Sequence, residues 1–235
     1  MQLLGQALAA ATRTVPAGRA VRSFHAYFLA GALPGPPIDY HVTRIRDGGS
    51  VSHRRVLGRQ DGREILSFDA SFGAGPAGLD HADIPAPGLT ADRLPPADGE
   101  AAHSWSGIEL RFGETESGGE RRHTAYRRLW MRCSDPLPAD SALHACVLAY
   151  ASDLTLIRTA LVGHDDVAGR IRLASIDHAL WLHRPVRADE WLSYESVSPV
   201  AHGSRALALG YVHDTAGRLV ATVAQEGMAR LLGGA

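Results

Sequence analysis

GGSVSHRRVLGRQDGREILSFDASF (Gly48–Phe72) and HGSRALALGYVHDTAGRLVATVAQEG (His202–Gly227) are two versions of one pattern. Each opens on a turn of small residues and continues in two runs joined by a turn signal, QDGR in the first and HDTAGRL in the second. Alternating apolar and polar residues mark strands with one buried face. Asp61-Gly62 is a strong signal for a two-residue hairpin. Upstream, SFHAYFL (Ser23–Leu29) resembles IDHALWL (Ile176–Leu182). Each of those stretches follows a candidate helix. The first is MQLLGQALAAATRTVP, ended near Pro16; the second begins at DSALHACVL, with Asp140 or Ser141 as N-cap.

A helix followed by a strand meander, occurring twice at a spacing of roughly a hundred residues, indicates two copies of one α+β unit. A central helix wrapped by an antiparallel sheet is the hotdog arrangement, so the expected fold class is α+β, a double hotdog. The expected division is an N-terminal repeat over 1–72, a Pro/Gly-rich linker over 73–103 and a C-terminal repeat over 104–235. The linker is expected to be partly extended because of its prolines.

Composition narrows the function classes. A formal net charge of -1 gives no electrostatic reason to expect nucleic acid or an anionic membrane as partner. The densest basic run, RRHTAYRR (Arg121–Arg128), is expected to be a solvated strand face. Cys133 and Cys146 form no C-x-x-C pair, which argues against a zinc knuckle or dithiol site and fits a reducing, cytoplasmic compartment. No run of about 18 apolar residues is present, so no membrane span is expected. The N-terminus lacks a basic leader region and reads as an amphipathic helix.

The second helix raises the functional question. Leu143, Cys146, Val147, Tyr150, Leu154, Ile157 and Leu161 recur at helical spacing, and Asp153 sits on the flank of that stripe. In IRLASIDHALWL, alternation places Ser175 on the face of Ile171 and Leu173. In RLVATVAQEG it places Gln225 on the face of Leu219, Ala221 and Val223. Polar side chains on or beside apolar surfaces need hydrogen-bond partners.

YASDLTL, ASIDHALWLHRPVRADEWLSYE and GRLVATVAQEGMAR together resemble the TesB-like acyl-CoA thioesterase II family. GQALAAATRTVP, VRSFHAYFL, RDGGSVSHRRV and ASF extend the resemblance, in family order, over nearly the whole chain. The resemblance implies a double-hotdog enzyme that hydrolyses acyl-CoA to a carboxylic acid and CoA, with Asp153, Ser175 and Gln225 as the catalytic set holding an attacking water. It implies no acyl-enzyme. No cofactor and no metal are expected. The expected partners are an acyl-CoA or acyl-carrier thioester and further copies of the chain in a homo-oligomer. Two departures stand out. The position before IDH is commonly Thr and is Ser175 here, so the hydroxyl is kept and the stiffening methyl lost. The family also usually carries a strand region before the GQAL helix, whose lack would leave an exposed edge on the first sheet.

Other residues carry weaker signals. His178 and His183, five apart on a strand, would face opposite sides and not share a metal. Trp181 and Trp191 are expected in the core or an interface, and Ser204 lacks the G-x-S-x-G elbow. Arg184, Arg187 and Arg205 are candidate contacts for CoA phosphates. A hotdog hydratase or dehydratase is disfavoured because D-x-N-P-x-H is absent. A non-catalytic acyl-binding module would have no need of all three polar positions.

Overall fold

The structure is a computed structural model and describes residues 2–75, 78–86, 88, 91–94, 107–113, 125–164, 166 and 169–232. Helix α1 (Gln2–Thr12) precedes strands β1 (Ala20–Phe28), β2 (Asp39–Asp47), β3 (Val51–Gln60) and β4 (Arg63–Gly73). The second half contributes β5 (Ile108–Phe112), β6 (Tyr126–Cys133), helix α2 (Ser141–Ser152) and a 3-10 stretch (Leu156–Leu161). It continues through β7 (Ile171–Ser175), β8 (Asp177–Leu182), β9 (Leu192–His202), β10 (Arg205–His213) and β11 (Leu219–Leu231). All strands join one antiparallel sheet in the order β2-β3-β4-β1-β8-β11-β10-β9-β6-β5, with β7 added on β11.

That order displays the repeat. β2-β3-β4-β1 matches β9-β10-β11-β8, and the copies meet where β1 pairs with β8. Helix α1 packs against β1–β4 and helix α2 against α1 and β1, and the two helices share one core, with Leu4, Ala7 and Leu8 of α1 and Leu148 and Ala149 of α2 buried. The molecule is a double hotdog. Among the described residues β2 pairs with β3 alone, whereas its counterpart β9 lies between β10 and β6. Of the linker 73–103, residues 76–77, 87, 89–90 and 95–103 lie outside the described residues, as do 121–124 of the basic run.

Local chemistry explains the elements. Asp140 caps α2, its carboxylate accepting from Ala142 N and Leu143 N. Asp61 (φ 50) and Gly62 (φ 77) both take the left-handed conformation of a type I′ turn, which matches the twist of the β3–β4 hairpin.

The structure corrects four local expectations. The apolar stripe from Leu143 to Leu161 is not one helix. It ends at Ser152, and the residues most deeply buried on α2 are His144, Ala145, Leu148, Ala149, Ala151 and Ser152, because the helix lies against both α1 and the sheet. The run RLASIDHALWLH is two strands, broken at Ile176, whose N–H donates to Glu226 O. SFHAYFL and IDHALWL are offset by one residue. Phe24 and Ala26 point inward beside Leu180 and His178, so His25 is exposed while His178 is fully buried. A one-residue shift sends every side chain to the other face. Finally, Arg127 and Arg128 are half-buried, and Arg128 pairs with Glu195.

The inward face of β3 carries Ser52, Arg54, Val56, Gly58 and Gln60. Arg54 closes the C-terminal end of α1 through Thr14 O and Thr14 Oγ1. Gln60 holds the segment that follows β1.

Candidate functional site

Three strands grip the end of α2. Tyr194 of β9 donates its hydroxyl to Ser152 O at 3.1 Å, and His178 Nε2 of β8 lies 3.0 Å from Ser152 Oγ. The helix closes on Asp153 as its C-cap (φ -84, ψ -14), and the chain turns into the 3-10 stretch. Asp153 is therefore a helix-end residue rather than a helix flank, and it is buried.

Gln225 of β11 reaches this end. Its Nε2 donates to Asp153 Oδ1 at 2.5 Å and to Ser175 Oγ at 3.0 Å. Its Oε1 accepts from Ile157 N at 3.1 Å. That last bond fixes the amide orientation, because the oxygen must face the backbone donor and the nitrogen must then face the two side-chain oxygens. The approach of Ile157 depends on Gly227. A Cβ there would lie 2.4 Å from Ile157 Cγ1, so only glycine lets the 3-10 stretch settle on β11. Ser175 pairs across β7–β11 with this same Gly227. The structure thus brings together all three residues singled out in the sequence, Asp153, Ser175 and Gln225.

Ser175 also faces open space. A cavity of about 890 Å³ extends from Ala174 and Ser175 past Tyr150 to α1 and the segment Ala30–Ile38. This volume is within the usual range of small-molecule sites.

His178, which holds Ser152, also lies beside Asp153. Its ring is fully buried, its Nδ1 lies 3.6 Å from Asp153 Oδ1, and it stacks on Phe24. Burial lowers its pKa from the ordinary 6.5, outweighing the opposing pull of Asp153 and Asp177. The unfolded chain therefore takes up this proton first. The neutral-ring contribution to stability is complete above about pH 6.5 and is lost as pH falls, by about 1.4 kcal/mol per pH unit. Thermal melts between neutral and mildly acidic pH should show a smaller pH slope for His178→Phe than for wild type. Equal slopes would remove His178 as the source.

The remaining candidates separate from this site. His183 lies outside the core, with Nε2 2.8 Å from Thr222 Oγ1. Trp181 is exposed rather than in the core, and Trp191 is flanked by the guanidinium groups of Arg111 and Arg132. Ser204 sits in the β9–β10 turn at φ 60. Arg184, Arg187 and Arg205 are held by Asp80, Asp189 and Glu226. Among the described residues no group of three His, Cys, Asp or Glu is placed to hold a metal, and no helix is long and apolar enough to cross a membrane. Ile157 N–H, Ser152 and Tyr194 escaped the sequence reading. A backbone donor carries no residue signature, and the other two act through contacts across the fold.

Comparison with known proteins follows the same two halves. The sequence model described as acyl-CoA thioesterase matches residues 105–228, and that of the acyl-CoA thioesterase N-terminal domain matches residues 2–73. Acyl-coenzyme A thioesterase 8 of Mus musculus is 34% identical over 253 aligned positions, covering 98% of this chain and 79% of the relative. Acyl-CoA thioesterase 2 of Haemophilus influenzae is 32% identical, covering 97% of this chain and 86% of the relative. The crystal structure of acyl-CoA thioesterase II TesB2 from Mycobacterium marinum superposes with a TM-score of 0.89 at 38% identity, covering 99% of this chain and 89% of that one. With both halves matched in order and nearly the full length aligned, the chain belongs to the acyl-CoA thioesterase family of thioester hydrolases.

Proposed function

We propose that the protein hydrolyses acyl-CoA by direct attack of a water molecule held at the Asp153, Ser175 and Gln225 constellation, with Gln225 acting by clamping the other two groups in place. The observation that carries this reading is the bridging amide of Gln225, which ties Asp153 to Ser175 at 2.5 and 3.0 Å beside the cavity. Both Nε2 hydrogens of Gln225 are engaged, so its role is to clamp the other two groups. Ser175 Oγ accepts from Gln225, which leaves its own hydrogen to donate. Asp153 is the acceptor for a water proton.

In the reaction the water oxygen bonds to the thioester carbonyl carbon as Asp153 takes the proton. The oxygen charge that develops is met by the Ser175 hydroxyl. Collapse breaks the carbon–sulfur bond, the thiolate leaves with a proton from Asp153, and the carboxylic acid remains. A thioester is already an activated acyl group, so positioning and one base suffice. The acyl chain lies in the cavity that begins at Ser175.

Thiol release from a panel of acyl-CoAs, beside the matching acyl-carrier thioesters, tests this. Ser175→Ala should lower kcat by about 10²–10³-fold. A folded Ser175→Ala that turns over like wild type would remove Ser175 from the mechanism.

A further inference from the structure

The segment Ala30–Ile38, AGALPGPPI, lines the same cavity as Ser175. Pro34, Pro36 and Pro37 lack backbone N–H groups, so this segment cannot be held by a regular ladder. Past the Ala30 N–H, which donates to Ile65 O, a buried side chain holds it. Gln60, at the inward end of β3 and 5% exposed, accepts from Leu33 N at 2.8 Å through Oε1. Its Nε2 donates to Leu33 O and to Pro36 O, each at 2.9 Å. The amide thereby uses both hydrogens and its oxygen on the loop. A buried amide is costly unless satisfied, and here the loop backbone satisfies it. Leu33, pinned on both its N–H and its C=O, lines the cavity, yet the residue is 65% exposed. A large apolar side chain carried on a pinned backbone at an open cavity is placed to meet an apolar ligand.

We propose that Leu33 is the residue that sets acyl-chain length in this cavity, and that Gln60 is the positioning residue that holds it there. This rests on the reading of the cavity as the acyl site. A rigid stop discriminates between chain lengths, whereas a stop that yields admits them all. Each methylene that a fixed apolar wall accepts or rejects is worth about tenfold or more in kcat/KM. The ligand class is the linear acyl chain of a thioester, lying from Ser175 along Tyr150 toward Leu33.

The test is kcat/KM for short, medium and long linear acyl-CoAs with wild type, Gln60→Met and Leu33→Trp. Leu33→Trp should shift the optimum to shorter chains, and Gln60→Met should flatten the long-to-short ratio by about tenfold, both through KM. A merely structural role for Gln60 would lower the active fraction equally for every ester and leave the ratio unchanged; that result would overturn the proposal. Thermal shift with free linear carboxylic acids of the same lengths supplies an independent readout. Loss of the long-acid shift in Leu33→Trp supports the assignment, and an unchanged series overturns it. If wild type releases no thiol from any ester, the hydrolytic mechanism fails, while the acid-binding series still decides the role of Leu33.

Discussion

Asp153→Asn is expected to lower kcat by about 10²–10⁴-fold while KM changes little. The substitution is close to isosteric and keeps an oxygen that can accept from Gln225 Nε2, so the clamp on Ser175 has no geometric reason to fail. What disappears is the carboxylate that takes the water proton in the proposed mechanism. The helix end itself is held independently, by Tyr194 on Ser152 O and by His178 on Ser152 Oγ. A loss confined to kcat would therefore report chemistry and not misfolding. Single-turnover thiol release beside a thermal melt separates the two. Retention of kcat within a few fold of wild type in a folded Asp153→Asn would exclude the carboxylate as the base.

Arg54→Met is expected to cost about 3 kcal/mol of stability, because it removes five hydrogen bonds donated by a fully buried guanidinium. Arg54 is fully buried on the inward face of β3. Its guanidinium donates to Thr14 Oγ1, Thr14 O, Arg46 O, His53 O and Asp47 Oδ1, at distances from 2.7 to 3.2 Å. The positive charge also sits where the last turn of α1 presents its carbonyls, the end of a helix that favours a cation. Methionine roughly matches the stem but donates nothing. For a chain of this size the loss corresponds to a fall of about 6–12 °C in melting temperature. The next residue is the control. Arg55 points outward and pairs with Asp69 with both side chains about half exposed, so Arg55→Met should cost less than about 1 kcal/mol. Equal destabilisation by the two substitutions would show that burial of Arg54 is not the source.

These effects fall on residues of differing legibility. Asp153 is legible as a carboxylate beside an apolar helical stripe, whereas Ser175 and Gln225 are marked by the family resemblance, with which strand alternation agrees. Arg54 and Gln60 are legible in neither way. Their strand alternates regularly, but the inward set contains a cation and an amide where alternation leads one to expect hydrocarbon. Both are reconciled with burial by distant backbone, α1 for Arg54 and the proline-rich loop for Gln60.

The sequence by itself determined the repeat, the hairpin at Asp61-Gly62, a helix start capped at Asp140 or Ser141, of which the structure uses Asp140, and the inward face of Gln225. Each of these follows from short-range rules of turn conformation, capping and alternation. Tertiary structure alone decided that α2 stops at Ser152, that β7 and β8 part at Ile176, and that His25 and His178 face opposite ways. It also decided which way the Gln225 amide points. The bonds that settle this join residues 72, 50 and 68 positions apart, far beyond the reach of any local pattern. The orientation is set by a backbone N–H, a group every residue but proline carries, so nothing in the residue letters marks Ile157 as the donor.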